Sequence, residues 1–331
     1  MAITISDLAD ICNVSKGTVD RALNGRSGIK EETRNKILLA ARENKYMPNK
    51  IAQSLVTGNT MTIGVVCFDL YNNFFAMLVD IIEAAAKQKG YFINLVLTHG
   101  DIDKEMQGMS YLFQRNIDGI IIFPVVKGTS YEKYLLNFNI PIVTIYNKIS
   151  DKFIHIGVND RDAMRNAVVH MVKKGYKRIL FFTVDMDKRI SQGMNLFTLE
   201  QRQMGYLDGI KETGIQKEPI IIEKSNFKHE LENYIGHGQP KSGVLCICDS
   251  YALTLLNYCK SKRVSVPDDI GIMGYDNIDM LHYITPRLST VEYDVVRMGN
   301  ILFNTLYDMI NGNIVKNDIQ LDYSILEGES L

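Results

Sequence analysis

With 331 residues, 46% of them hydrophobic and 23% charged, and a formal net charge of −1, the chain has the composition of an ordinary folded protein of two or three domains. No apolar run reaches the length that spans a bilayer. The amino terminus carries Asp7 and Asp10 in place of a basic-then-apolar export pattern, so a cytoplasmic protein is expected.

Residues 4–25 predict two short amphipathic helices joined by a tight turn. Ile5, Leu8, Ala9, Cys12 and Val14 form one apolar face, and Val19, Ala22 and Leu23 another. Ser6 is expected to cap the first helix and Ser15 the second, each accepting from backbone N–H groups two or three residues on. Lys16, Gly17, Thr18, Asp20 and Arg21 are left pointing away from the core. Such a helix start fits the major groove of B-DNA, the way a helix-turn-helix presents its second helix. A third helix is predicted over 31–45, with Ile37, Leu38, Ala40 and Ala41 apolar, and Pro48 cannot continue it. Residues 49–56 allow one and a half helical turns, too few to stand alone in water. Gly58-Asn59 then make a flexible joint. Residues 1–57 hold nine Lys/Arg and six Asp/Glu, a head of +3 against −4 elsewhere, which is compatible with phosphate binding by a small paired module.

Beyond Thr60 strands alternate with helices. Strands are predicted at 62–68, 92–97, 118–123, 141–146, 178–183, 219–222, 243–248 and 270–274, and a last one over 319–326. Helices are predicted near 75–89, 103–116, 161–175, 199–213 and 249–263. This spacing predicts parallel sheets with helices on both faces, in two halves that break near 158 and cross again near 288 and 320. Ligands in such sheets sit beyond the carboxyl ends of the strands. Five cysteines in mostly apolar surroundings point to reduced, buried thiols. Cys246 and Cys248 have no Cys or His pair nearby at ligand spacing, so no metal is expected. Nucleophile-elbow, phosphate-loop and zinc-hydrolase spacings are missing and the six histidines are scattered, so neither a catalytic centre nor a cofactor is expected.

Several separate motifs occur in order: Thr4-Ile5-Ser6-Asp7-Leu8-Ala9, Val14-Ser15, Thr18-Val19, Arg21-Ala22-Leu23-Asn24-Gly25, Glu32-Thr33-Arg34, Tyr46-Met47-Pro48-Asn49, Ile51-Ala52-Gln53-Ser54-Leu55 and Thr62-Ile63-Gly64-Val65-Val66. Together they make Ile3 to Val66 resemble the amino-terminal end of a LacI/GalR-family transcription regulator. The resemblance implies an α/β protein with an all-α helix-turn-helix head over 1–48 and a hinge helix and linker over 49–60. A periplasmic-binding-protein-like core of parallel sheets would fill 61–331, one subdomain taking about 61–158 and 289–320, the other about 159–288 and 321–331. It also implies double-stranded operator DNA and a small-molecule effector as partners, and a homodimer, because one head buries too little surface for operator affinity. No leucine heptad follows the last strand, so a tail-driven tetramer is not expected.

By the same resemblance, Lys16 and Gly17 hold much of the base specificity, with Arg21 beside them; a bidentate contact to guanine discriminates by about 1–3 kcal/mol. Asp20 stands where a serine is usual, and either accepts from cytosine N4 or pairs with Arg21 or another basic residue. Leu55 would wedge into the minor groove and kink the duplex, while Gln53 and Val56 replace more basic residues. Thr4, Ile5, Ser15, Thr18, Asn24, Lys30, Thr33, Tyr46 and Asn49 complete the DNA-facing set. In the core, Phe68 to Phe75 resembles the family's Asp-x-x-Asn-Pro-Phe-Phe effector loop and nominates Asp69, Tyr71, Asn72, Phe74 and Phe75, one phenylalanine of the two being expected in the core. Arg202 matches an Arg-x-x-Gly-aromatic motif whose fork suits adjacent hydroxyls. Asp276 follows a strand, and Cys248-Asp249 replaces Asn-Asp. Tyr146-Asn147 replaces Asp-Arg, and Tyr293 replaces a frequent Gln. The pocket is therefore expected to be aromatic and weakly charged, suited to a neutral or weakly polar carbohydrate. A phosphocarrier protein or a nucleobase as effector, or a sugar-binding protein with no DNA role, are the alternatives, and the direction of the response stays open.

Overall fold

The computed structural model describes residues 3–47, 58–235 and 240–331. The chain divides into two units, residues 1–60 and 61–331. In the first, helices α1 (Ile5–Cys12), α2 (Lys16–Leu23) and α3 (Glu31–Glu43) pack around Leu8, Val19 and Ile37, each with no solvent exposure. The first cap is Thr4 rather than Ser6. The Thr4 hydroxyl accepts from the Asp7 N–H at 3.3 Å while the Asp7 carboxylate accepts from the Thr4 N–H at 2.8 Å, a reciprocal box that satisfies two otherwise orphaned donors. Ser15 caps α2 as expected, its Oγ accepting from the Thr18 N–H at 3.2 Å. Between them Asn13 turns the chain in the left-handed region at φ 54°, a conformation that Asn tolerates. Leu38, expected on the packed face, is 43% exposed.

The second unit holds two six-stranded sheets. One runs β11-β5-β4-β3-β1-β2, from β1 (Thr62–Cys67), β2 (Phe92–Leu97), β3 (Gly119–Ile122), β4 (Ile142–Ile145), β5 (Ile154–Val158) and β11 (Asp318–Leu321). The other runs β12-β10-β9-β8-β6-β7, from β6 (Arg178–Thr183), β7 (Ile220–Glu223), β8 (Ser242–Cys246), β9 (Gly271–Tyr275), β10 (Ser289–Tyr293) and β12 (Tyr323–Leu326). Strands β3, β4, β8 and β9 are buried along their whole length, as parallel strands covered on both faces are. The covering helices are α4 (Asn73–Gln88), α5 (Ile102–Gln114), α6 (Thr129–Leu136), α7 (Asp160–Lys173), α8 (Met186–Ser191), α9 (Phe197–Thr213), α10 (Phe227–Leu231), α11 (Asp249–Lys262) and α12 (Val295–Ile310). Helices α7 and α9 pack closely because Gly205 has no side chain: a Cβ there would lie 2.1 Å from the Arg161 carbonyl oxygen. Among the described residues no helix is long and apolar enough to cross a membrane.

Two details differ from the sequence reading. The segment 289–293, assigned to the first half, is β10 of the second sheet, paired with β9, so the chain crosses after Tyr293. Its polar residues are buried because they find partners: the Ser289 N–H donates to Ser330 and the Thr290 hydroxyl to Asp249. The last predicted strand is two strands, one in each sheet, and β12 pairs antiparallel with β10. Strand β11 runs parallel to β5 and continues straight across with only Asp322 between, so it enters the second sheet against the direction of its strands; a parallel entry would need a long crossover.

Candidate functional site

In the head, Ser15 sets the start of α2, and Lys16, Gly17 and Arg21 stand exposed on it. Lys16 and Arg21 make no ion pair or side-chain hydrogen bond among the described residues, so their cationic ends are available. The Thr18 hydroxyl bonds Ser15 Oγ at 2.9 Å. Asp20 turns away from Arg21: it accepts from Asn24 Nδ2 at 2.8 Å and pairs with Arg26 at 3.3 Å. Both partners of that pair are exposed, so it adds little stability, but it neutralises a carboxylate next to the candidate groove residues. Thr4 and Ile5 start α1, Lys30 immediately precedes α3 without a side-chain cap, Thr33 lies in its first turn, and Tyr46 packs against the head core. Asn49, Gln53, Leu55 and Val56, and with them the hinge helix, lie outside the described residues.

In the core, loops at the carboxyl ends of both sheets meet through a polar bridge. The Asn195 N–H donates to the Val125 carbonyl at 2.7 Å, and its side-chain amide to the carbonyls of Lys148 at 3.0 Å and Val126 at 3.4 Å. Asn147 Nδ2 donates to the carbonyls of Pro124 at 3.0 Å and Asn195 at 2.8 Å, and its Oδ1 accepts from the Thr198 N–H at 3.1 Å. The Thr198 hydroxyl donates to the Tyr146 carbonyl. Beneath the 124–126 loop, the fully buried Glu105 carboxylate accepts from the N–H groups of Val125 at 2.6 Å and Val126 at 3.2 Å. Burial lifts its pKa to about 7, against the pull of those two donors. Both asparagines are 2% exposed; their polar atoms join the two halves.

Behind this bridge lies a cavity of about 280 Å³, walled by both halves. Phe68, Phe75 and Tyr146 form one wall, with ring centroids 5.3–5.7 Å apart. Tyr146 is held at φ 65°, an uncommon conformation for an aromatic residue and one that collects at functional sites. Asp69, Asn72, His99, Arg189, Asn195, Cys248 and Tyr251 supply the polar lining, and Leu196, Leu199 and Ile247 apolar floor. Asp69 Oδ1 accepts from the N–H groups of Tyr71 and Asn72 at 2.9 and 3.1 Å, and Asn72 caps α4. The Cys248 thiol is pushed up to about 12 by burial, so it is a neutral part of the wall.

Half of the twelve nominated core residues line this cavity: Asp69, Asn72, Phe75, Tyr146, Asn147 and Cys248. Arg202 does not. It is 3% exposed and fully engaged, donating to Asp160 at 2.8 Å, to the Ile247 carbonyl at 2.7 Å and to Asp276 at 3.2 Å, with its guanidinium 3.6 Å from the Tyr275 ring centroid. Asp276 also accepts from the Tyr293 hydroxyl at 2.9 Å, and burial raises it to about 6 although Arg202 and Tyr293 lower it. Phe74, Arg202 and Tyr293 surround a void of only about 20 Å³, room for one water. Asp249 is buried, accepting from Thr290 at 2.7 Å and from the Ile278 N–H at 3.0 Å, and burial lifts it to about 8. Gly274 gives it space, since a Cβ there would lie 2.0 Å from its Oδ1. Tyr71 is 91% exposed because the Asp69 turn points it outward. His99, Arg189, Asn195 and Tyr251 were not foreseen: two come from loops, one from the end of a short helix and one from the start of another, and their meeting leaves no local pattern. Among the described residues no cluster of His, Cys, Asp or Glu could hold a metal ion.

Residues 4–49 match the family described as bacterial regulatory proteins, lacI family, and residues 168–331 match the periplasmic binding protein-like domain. A relative from Bacillus subtilis (strain 168), named Probable HTH-type transcriptional repressor ExuR, is 30% identical over 321 residues, covering 93% of this chain and 92% of its own. The lac repressor dimer bound to operator and the anti-inducer ONPF shares the fold with a TM-score of 0.84 at 21% identity, over 100% of this chain and 99% of that one. A periplasmic binding protein/LacI transcriptional regulator from Alkaliphilus metalliredigens QYMF, complexed with D-xylulofuranose, is 26% identical with a TM-score of 0.69, over 82% of this chain and 98% of that one. A helix-turn-helix head, a two-sheet effector core and near full-length similarity to a repressor converge: the chain belongs to the LacI family of bacterial transcriptional regulators.

Proposed function

We propose that the protein is a cytoplasmic homodimeric repressor whose grip on operator DNA is set by a carbohydrate or carbohydrate derivative in the core cavity. The cavity carries this reading. It is walled by both halves of the core and joins aromatic faces, which suit the apolar C–H side of a sugar, to Asp69, Asn72 and Asn195, which suit hydroxyls. The xylulofuranose complex of the Alkaliphilus relative supports it. Lys16, Gly17 and Arg21 on α2 would read base edges, with Thr4, Ile5, Ser15, Thr18, Asn24, Lys30, Thr33 and Tyr46 placing the head on the backbone, and Asn49, Gln53, Leu55 and Val56 acting at the centre of the site. Arg202 and Asp276 would hold the cavity floor, and would meet ligand only by exchanging their mutual contacts.

Two heads on a dimer would bind two half-sites. For a ligand to move the equilibrium from 1:99 to 99:1 it must favour one arrangement by about 5.5 kcal/mol. The test is selection of bound duplexes from random DNA, followed by fluorescence anisotropy on the selected site with and without a sugar panel. A selected near-palindrome whose affinity changes with one sugar supports the reading. Binding no tighter than to random competitor, or a response to purines alone, overturns it.

A further inference from the structure

A second, more open chamber of about 300 Å³ adjoins the cavity, and the two share His99, Gly100, Arg189 and Met194 in their walls. Arg189, near the carboxyl end of α8, therefore stands at the junction. It is half-buried, and its guanidinium makes no hydrogen bond or ion pair among the described residues, in contrast to Arg202 with its two carboxylates. A half-buried guanidinium has lost part of its water, so it gains most from an anionic partner. The acid in the outer chamber, Asp185, spends one oxygen on Ser225, accepting from its N–H at 3.3 Å and hydroxyl at 2.7 Å; those bonds, helped by the charges of Lys188 and Arg189, hold its carboxyl below the usual range, yet neither cation reaches it at ion-pair distance. Lys188 lines the same chamber, and Lys224 sits 5.0 Å above the ring of Tyr251, a wall of the inner cavity. His99, held at φ 52° with its N–H bonded to the Phe68 carbonyl at 2.6 Å, lines both chambers alongside Arg189. At the other end Asp69 keeps a carboxylate oxygen for hydroxyls.

We propose that the effector is a polyhydroxylated molecule bearing one anionic group, a carboxylate or a phosphate, its hydroxylated body in the inner cavity and its anion on Arg189. This deepens the carbohydrate reading above and departs from the neutral sugar expected from the sequence, where Arg189 had no visible connection to the cleft. The planar fork of Arg189 would hold two oxygens of either group.

The test is titration calorimetry of the full chain with matched series of hexoses and pentoses, their aldonic and uronic acids, and their phosphates. An acid or phosphate should bind about tenfold or more tightly than its neutral parent, and R189Q should bring the two within about twofold. R189K should keep part of the preference, since it keeps the charge but not the fork. The carboxylate and phosphate arms separate the two anions. Should R189Q fail to fold, ionic strength supplies the second readout, because salt weakens the charged ligand and spares the neutral one. A neutral parent that binds as tightly as its acids, or a preference that survives R189Q, overturns the inference and leaves the carbohydrate reading standing. If no sugar binds, charged or neutral, the carbohydrate reading itself falls, and this inference with it.

Discussion

Asn195→Ala should loosen the core across its cleft. The side chain makes three hydrogen bonds, to Lys148 and Val126 on one half and from the Phe197 N–H on its own, at 3.0, 3.4 and 3.3 Å. Only the first two cross between the halves; at 0.5–1.5 kcal/mol net for each, and with one of them long, the loss is about 1–2 kcal/mol, or about 5- to 30-fold in the balance between bridged and parted arrangements. Asn147→Asp should cost more. It removes both donors to Pro124 and Asn195 and sets a carboxylate against their carbonyl oxygens. Urea unfolding at neutral pH, with small-angle scattering on the protein without added sugar, reads both effects. The variant should unfold at lower urea with a shallower slope, because two halves less firmly joined unfold less as one, and its radius of gyration should rise. Wild-type midpoint, slope and scattering in Asn195→Ala would refute the idea that this bridge couples the halves.

Three further outcomes are expected. Glu105→Gln should flatten the pH dependence of stability: the folded pKa, about 7, lies above the ordinary 4.5, so the folded protein keeps a proton that the unfolded chain has released. Stability present below 4.5 is thus lost as pH rises to about 7, by about 3 kcal/mol. Urea midpoints at acid and neutral pH should converge in the variant, and parallel wild-type and variant profiles would contradict this. Ser15→Ala removes the α2 cap and should destabilise the head by about 1 kcal/mol, read as reduced hydrogen-exchange protection of α2; unchanged protection would count against it. Lys16→Ala should weaken binding to the selected duplex, by about 1–3 kcal/mol and with relaxed base preference if it reads a base. If it touches only phosphate, binding should weaken evenly across sequences with a shallower salt slope.

The alternation of strands and helices was readable because β3, β4, β8 and β9 are short, mostly apolar runs, buried along their length, between amphipathic helices. Strand β10 was not, since Ser-Thr-Val-Glu-Tyr reads as a loop until the Gly328 N–H and Asp249 are known to satisfy its buried hydroxyls. The first cap went to the wrong hydroxyl for a related reason. Thr4 and Ser6 are both capping types, and only the reciprocal bond of Asp7 chooses between them. In the cleft, the resemblance to the family's motifs nominated Arg202 and Asp276, but it could not show that they engage each other. Arg189 and His99 carry no motif at all; they reach the cavity only because α8 and the loop after β2 are carried there by two different sheets.

That difference between motif and placement bears on how the core can move. The chain passes between its halves three times, at Asn159, Asp294 and Asp322, each a single residue between one element and the next. Asn159 and Asp294 each cap the helix they lead into, accepting from the N–H of Asp162 at 3.1 Å and Arg297 at 2.8 Å. Connections so short leave no slack for one half to slide over the other. Closure must be a rotation about these three points, absorbed in the backbone angles of residues that are already non-helical, with ψ of 77° at Asn159 and 90° at Asp294. A rotation of that kind leaves each sheet intact and changes most the contacts furthest from the pivots. The hydrogen bonds of Asn147 and Asn195 join the halves in this way, with the Thr198–Tyr146 bond and the Lys127–Glu200 ion pair beside them, so a ligand that adds to or competes with them acts on contacts that such a rotation changes.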